Sequence, residues 1–138
     1  MKDSREIFLK KAHGKVLMVG FHSSLLLQLL QNPKVEDIVI IDKKEILVEA
    51  PPRLFRSKVH IIHANIFDYQ PTINQKFNVI YFDIWHEMRL ENLEEINKLH
   101  RRFRLNLDRT DPDCWMDSWM REYLLKWRHE DRRTYQYF

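Results

Sequence analysis

The feature that most restricts the fold is a set of four short apolar runs, each followed by polar residues. These runs are Lys15–Gly20, Asp37–Asp42, Val59–His63 and Phe77–Asp83. Near-continuous apolar segments of this length are typical of strands that are buried on both faces of a parallel sheet. The sequence therefore predicts an α/β fold with about four parallel strands.

The segments between the runs suit the crossovers that parallel strands need. A serine pair can cap a helix over Leu25–Gln31. A second helical segment is expected to begin near Lys43 and to be broken by Pro51 and Pro52. Right-handed crossovers then give a Rossmann-like, doubly wound sheet with strand order 3-2-1-4.

Two helices are predicted after the fourth strand. Apolar residues recur at helical spacing through residues 91–107. Asp111 and Pro112 mark a second helix start, and the aromatic residues Trp115, Trp119, Tyr123 and Trp127 then fall four apart. Such an aromatic face does not stay in water, so we expect it to cover the sheet or to form a homo-oligomer contact.

The length and composition fit a single domain of 138 residues. Residues 1–90 would form a nucleoside-binding α/β part, and residues 91–138 a helical C-terminal part.

No apolar run reaches the length of a membrane span and the N-terminal residues are too charged for a signal peptide, so we expect a cytoplasmic protein without a membrane partner. One cysteine excludes a disulfide framework and a cysteine-rich zinc site, and we predict no metal site.

Polar residues with ligand-binding chemistry lie where the predicted strands end. Ligands bind beyond the carboxyl ends of an open α/β sheet, at the point where the strand order reverses. Asp42 is placed there to accept hydrogen bonds from ribose hydroxyls, or alternatively to cap the next segment. The helix after Gly20 offers backbone N–H groups to an anion, and Asn65 can both donate to and accept from an adenine edge.

The residues after the fourth strand are candidates for proton transfer. Asp83, His86 and Glu87 are of the types that serve as general bases, and Trp85 offers a stacking surface. The alternative is a capped helix entry with Trp85 packed inside.

Basic residues near positions 100–104 and 126–133 alternate with aromatics, as in surfaces that bind nucleic acid. The alternative is a solvated helix face. A net charge of +3 does not by itself indicate a nucleic-acid partner.

The strand segments with their following loops resemble class I methyltransferases that use S-adenosyl-L-methionine (SAM), and most closely the branch that includes spermidine synthase. The resemblance covers about two-thirds of the chain and is carried by GKVLMVGFHSSLLLQLL, VEDIVIIDK, KVHIIHANIFDY and FNVIYFDIWHE. It implies SAM as cofactor, and transfer of a methyl group or a reaction of a related sulfonium nucleoside. DIWHE with NLEEINKLHRRF also resembles small phage-borne proteins of this superfamily, which implies action in a host cytoplasm.

The resemblance implies a role for each strand-end position. The cofactor's amino-acid end would be held by Gly20, Phe21, His22 and Ser23, its ribose by Asp42, and its adenine by Asn65 and Ile66. Asp83, with His86 and Glu87 as alternatives, would face the reacting atom. The chain departs from the family in having one glycine in the first loop, and in having Asn65 at a position that is acidic in the family.

Two functions follow from this reading. The first is a methyltransferase-like enzyme with a small-molecule nucleoside cofactor. The second is a catalytically inactive Rossmann-like binding module that acts through its C-terminal helices on a protein or nucleic-acid partner.

Overall fold

The centre of the molecule is a five-stranded parallel sheet, seen in a computed structural model that describes residues 3–45 and 57–136. Its strands, in the spatial order β3-β2-β1-β4-β5, are β1 Gly14–Val19, β2 Val35–Asp42, β3 Val59–His63, β4 Val79–Phe82 and β5 Trp115–Ser118. The helices are α1 Ser4–Lys11, α2 Ser23–Gln31, α3 Asn92–Phe103 and α4 Arg121–Gln136, with a 3₁₀ turn at Arg104–Asn106.

The predicted Rossmann-like fold is confirmed, and so is the order 3-2-1-4 within the larger sheet. All four pairings between neighbouring strands are parallel. The helical segment expected from Lys43 begins instead as a bend over Lys43 and Lys44. Its remainder, with Pro51 and Pro52, lies outside the described residues.

The prediction that Trp115–Trp127 forms one helix is wrong. Trp115–Ser118 is strand β5, which pairs in register with Val79–Phe82, and the helix begins only at Arg121. Strand β4 would otherwise present an unpaired edge, and Trp115 in strand conformation stacks on Tyr81 with ring centroids 6.0 Å apart. The part after residue 91 is therefore not purely helical.

The aromatic face predicted for homo-oligomer contact is consequently smaller. Only Tyr123 and Trp127 of the four residues are strongly exposed, at 38% and 46%. Association through this surface stays a prediction. None of the helices in residues 3–45 and 57–136 combines the length and the apolar character of a membrane span.

Helix α1 is absent from the sequence-based prediction because half of its residues are charged. Its start is marked by Asp3, whose side chain accepts a hydrogen bond from the Arg5 backbone N–H at 3.0 Å. Phe8 packs the helix onto the sheet, with its ring 4.5 Å from that of Tyr81. The contact fixes α1 beside β4, and this places Arg5 near the carboxyl end of the sheet.

The two faces of the sheet carry separate apolar layers. One layer includes Met18, Ile40 and Tyr81 and packs against α1 and α2. The other includes Phe82 and packs against Phe103 of α3. This division follows from the alternation of side chains along each strand.

A half-buried histidine joins α3 to β5. Nε2 of His100 lies 2.7 Å from Oγ of the fully buried Ser118, and the imidazole ring packs on Phe82. Burial, with a smaller contribution from the Arg121 charge, lowers the pKa of His100 from 6.5 to about 4.

The free energy of unfolding should therefore decrease as the pH is lowered from 6.5 to 4. In this range His100 binds a proton in the unfolded chain but not in the folded chain. We expect His100 to account for a loss of at most about 3 kcal/mol in the free energy of unfolding between pH 6.5 and 4. Urea unfolding of the wild type and of His100→Gln across this range measures the difference. Identical pH dependence in the two proteins would contradict the prediction.

Candidate functional site

A cavity of about 590 Å³ opens at the carboxyl ends of β1 to β4. This is the side of the sheet where the connection from β3 to β4 reverses the strand order. Its walls are formed by the loops after the four strands, by the bend after Asp42 and by one residue of α3. The lining residues are Val19, Gly20, Phe21, His22, Ile41, Asp42, Lys43, Lys44, Glu45, Ala64, Asn65, Ile66, Phe67, Asp83, Ile84, Trp85, His86 and Glu95.

Most of the predicted site residues meet at this cavity, but two do not. Ser23 is exposed at the first turn of α2 and does not line it. Glu87 is also exposed, and its carboxylate pairs with Arg89 at 2.6 Å. Phe21 and Trp85 form part of the walls of the cavity.

Gly20 allows the loops after β1 and β4 to run side by side. Its φ is +93°, and a Cβ at this position would overlap the carbonyl oxygen of Asp83. Two backbone hydrogen bonds join the end of β1 to β2 and β4. The Gly20 N–H donates to the carbonyl oxygen of Ile41, and the Asp83 N–H donates to the carbonyl oxygen of Val19. The single glycine of the loop is therefore required by the contact with the β4 loop.

Asp42 connects the β2 end to the loop after β1. One carboxylate oxygen accepts a hydrogen bond from the Phe21 N–H and the other from the Lys44 N–H, each at 2.8 Å. A carboxylate has about four acceptor positions, so two remain for a ligand. The capping role and the ligand-binding role that the sequence left as alternatives are thus compatible.

Asp83 is enclosed by two cationic side chains. Arg5 of α1 donates to both carboxylate oxygens, through Nε at 2.7 Å and Nη2 at 3.2 Å. Nε2 of His22 lies 3.3 Å from the Asp83 carboxylate and 3.2 Å from its carbonyl oxygen. The Asp83 side chain is only 1% exposed.

The electrostatics of this cluster favour the charged forms of Arg5, His22 and Asp83. Burial opposes ionisation of Asp83, but the hydrogen bonds from His22 and Arg5 outweigh it and lower the pKa of this carboxyl. The hydrogen bond to Asp83 raises the pKa of His22 against the effect of burial. A carboxylate held in this way is a poor general base, because its proton affinity is reduced and its oxygens are engaged.

The loop after β3 is held in place by α3. The side chain of Asn65 accepts from the Phe67 N–H at 3.1 Å, which closes a tight turn. Arg102 Nη1 donates to the carbonyl oxygens of Ile66 at 3.0 Å and Phe67 at 2.7 Å. Arg102, which belongs to the basic residues near positions 100–104, therefore binds the loop after β3 and not an external phosphate.

Trp85 and Glu95 form the wall opposite the β2 loop. The indole Nε1–H of Trp85 donates to the carboxylate of Glu95 at 3.1 Å. His86 is exposed at the cavity margin. Among the predicted proton-transfer residues, His86 is thus the one that lines the cavity without being enclosed by ion pairs.

Comparison with known proteins identifies the fold. No protein-family model matches the sequence, and no curated protein matches it. Five chains of solved structures match, and they include the crystal structure of the methyltransferase domain of bacterial CtHen1-CN. The TM-score is 0.50 at 13% identity, over 88% of this chain and 76% of that chain.

The chain has a methyltransferase-like Rossmann fold. At this level of identity the likeness establishes the architecture, while activity depends on the particular residues of the site. The functional residues must therefore be argued from the cavity itself.

Three residues that line the cavity or support its loops were missed by the sequence reasoning. Arg5 lies on the unpredicted helix α1, whose only signal is an Asp three residues before Glu6. Glu95 and Arg102 lie on a correctly predicted helix, but periodicity does not reveal which polar residues of a helix face a neighbouring loop. Each of the three acts through a contact between residues distant in sequence.

Removal of Arg5 should destabilise the fold, because the buried Asp83 carboxylate would keep only His22 as a partner. We expect Arg5→Gln to lower the free energy of unfolding by about 2 kcal/mol. The matched control is Arg89→Gln, which breaks an exposed pair with Glu87 and should cost less than about 1 kcal/mol. Urea unfolding at pH 7 compares them, and equal losses would refute the assigned role of the cluster.

Arg102 and Arg101 offer a second matched pair on one helix. Arg102→Gln should lower the free energy of unfolding by about 1–2 kcal/mol and speed amide exchange in residues 65–69, since two carbonyls lose their donor. Arg101 is exposed, so Arg101→Gln should change stability by less than about 0.5 kcal/mol. Hydrogen exchange that stays unchanged in Arg102→Gln would argue against anchoring of the loop.

Proposed function

We propose that the cavity binds SAM or a related sulfonium nucleoside and that the protein is a SAM-dependent, methyltransferase-like transferase. The observation that carries the proposal is the meeting of the β1 turn, Asp42 and Asn65 around one cavity at the strand-order reversal. The spermidine synthase-like branch, a phage source and a cytoplasmic location stay predictions from the sequence.

The residues present fit such a cofactor in size and chemistry. A volume of about 590 Å³ falls within the range of cofactor pockets, roughly 300–1,000 Å³. Asp42 retains acceptor positions for ribose hydroxyls, and Asn65 stands where an adenine edge would be read. Ile66 and Phe67 supply apolar surface beside it.

When bound, SAM supplies an electrophilic methyl group that needs little covalent assistance. The chain's contribution would then be orientation of the reactants, with Asp42 and the β1 turn fixing the nucleoside. His86 is the candidate for accepting a proton from an incoming nucleophile, because it lines the cavity and histidine is the side chain that most often serves as a general base. Asp83 serves better as the anchor of His22 and Arg5 than as a base.

Thermal unfolding with nucleosides tests the proposal. SAM, S-adenosylhomocysteine or methylthioadenosine at a hundred times its dissociation constant should stabilise the fold by about 2.7 kcal/mol. Asp42→Asn should lose most of this ligand-induced shift relative to its own melting temperature, because it removes the charged acceptor for ribose. A shift that survives the substitution would mean that the nucleoside binds elsewhere.

A second candidate is the binding module without catalysis. The engagement of Asp83 by Arg5 and His22 favours it, since the acid at the strand-four end is not free for chemistry. Tyr123 and Trp127 on α4 would then contribute to a partner surface. The absence of a shift with all three nucleosides would support this candidate and reject the first.

A further inference from the structure

We propose that His13 and Asp111 form a pH-operated latch, which holds the loop before β5 to the end of α1 while the His13 imidazole is charged and releases the loop when the imidazole loses its proton. The latch lies at the amino ends of the strands, because His13 precedes β1 and Asp111 precedes β5. The inference is therefore independent of the proposed function, which concerns the opposite edge of the sheet.

The contact between the two residues is short and largely shielded from water. Nε2 of His13 lies 2.6 Å from a carboxylate oxygen of Asp111, and the two side chains are 25% and 17% exposed. The other ring nitrogen, Nδ1, lies 2.8 Å from the backbone carbonyl oxygen of Lys11. The imidazole thus joins two segments that are 98 positions apart in the sequence.

Both ring nitrogens of His13 face groups that can only accept hydrogen bonds. A backbone carbonyl oxygen has no proton to donate, and neither has an ionised carboxylate. A neutral imidazole carries one N–H, so either of its tautomers would turn a lone pair towards one of these two oxygens. The imidazolium has an N–H on each nitrogen and makes both contacts. The geometry therefore requires the charged ring.

The hydrogen bonds around Asp111 keep its carboxylate ionised. The oxygen that contacts His13 also accepts from Asn78 Nδ2 at 2.8 Å, and the other oxygen accepts from the Asp113 backbone N–H at 2.9 Å. These bonds, with that from His13 as the strongest, lower the pKa of Asp111 to about 2. The amide of Asn78 is fixed in this orientation, because its Oδ1 accepts from the Lys15 backbone N–H at 2.9 Å.

The loop that carries Asp111 leads directly into β5. The Asp111 carbonyl oxygen accepts from the Cys114 N–H at 3.2 Å, and the Trp115 N–H donates to the carbonyl oxygen of Asn78 at 3.0 Å. Strand β5 is the last strand of the described sheet and pairs only with β4. Edge elements with few anchoring contacts open at a lower free energy than central strands. Release of Asp111 should therefore loosen the start of β5 and leave β1 unchanged.

The direction of the pH effect follows from the partners of His13. The hydrogen bonds to the Lys11 carbonyl and to Asp111 raise the pKa of His13 above its ordinary value of 6.5. The contribution of the latch to stability is thus complete below the ordinary value, and it is lost as the pH rises through the raised one.

The other charged groups around His13 belong to residue types that do not titrate in this range. Asp113 faces His13 from the loop before β5, and Lys11 lies at the end of α1. Lys34 approaches from the segment before β2, where its carbonyl oxygen accepts from the Gly14 N–H at 2.7 Å. Lysine and aspartate side chains ordinarily titrate outside the range from pH 6 to 9. His13 is thus the group of the latch that changes its charge there.

NMR titration of the histidine rings, combined with hydrogen exchange from pH 6 to 9, tests the latch. His13 should lose its proton above pH 6.5. With the same midpoint, backbone exchange in residues 108–118, corrected for its intrinsic rate, should become about fivefold faster, which corresponds to one net hydrogen bond. Residues 16–19 of β1 should keep their protection.

Two variants and a matched control identify the titrating group. His13→Gln keeps a donor for Asp111 but cannot change its charge, so exchange in residues 108–118 should not depend on pH. Asp111→Asn should lower the pH at which His13 titrates. His60→Gln removes an exposed histidine that lies 3.2 Å from Asp37, and it should retain the pH dependence of the wild type.

The wild type alone is sufficient to overturn the inference. If His13 loses its proton while exchange in residues 108–118 stays constant, the pair is a static contact. If His13 titrates at or below pH 6.5, the contact with Asp111 does not hold a charged ring. A pH dependence that persists in His13→Gln would assign the effect to another group. These results leave the proposed function unaffected, and a failure of nucleosides to bind leaves the latch unaffected.

Discussion

The close approach of the loops after β1 and β4 is the constraint on which the site depends. At Gly20 the backbone passes so near to Asp83 that no side chain fits between them. Hydrogen bonds to Ile41 and from Asp83 to Val19 tie three strands together at this level. The ends of β1, β2 and β4 are therefore fixed relative to one another before any ligand is considered.

This approach has an electrostatic consequence. It brings the Asp83 carboxylate against the sheet, where it loses water and requires cationic partners. Arg5 reaches it from α1 and His22 from the turn before α2. A residue that would be a candidate base in an open site thus becomes the centre of an internal ion cluster, and one of its two partners, His22, lines the cavity.

The strands and the carboxyl-end edge of the sheet were predictable because they depend on local pattern. Buried parallel strands are continuous apolar runs, and β3 is found at the residues expected. Helix α1 was not predictable from hydrophobic periodicity, since Phe8 is its main core contact in a charged segment. Strand β5 was misassigned because tryptophans four apart satisfy helical spacing, while only the open edge of β4 makes a strand more favourable.

The sequence by itself determined which polar residues follow the buried strands, and hence that Gly20, Asp42, Asn65 and Asp83 share one edge of a sheet. That inference needs only the directions of parallel strands. The tertiary structure alone decided what each residue does there: Asp42 keeps acceptor positions, Asp83 is enclosed, Arg102 anchors a loop, and Ser23 and Glu87 lie outside the cavity. These outcomes depend on contacts between segments distant along the chain, and burial and ion pairing at such contacts leave no periodic signal in the sequence.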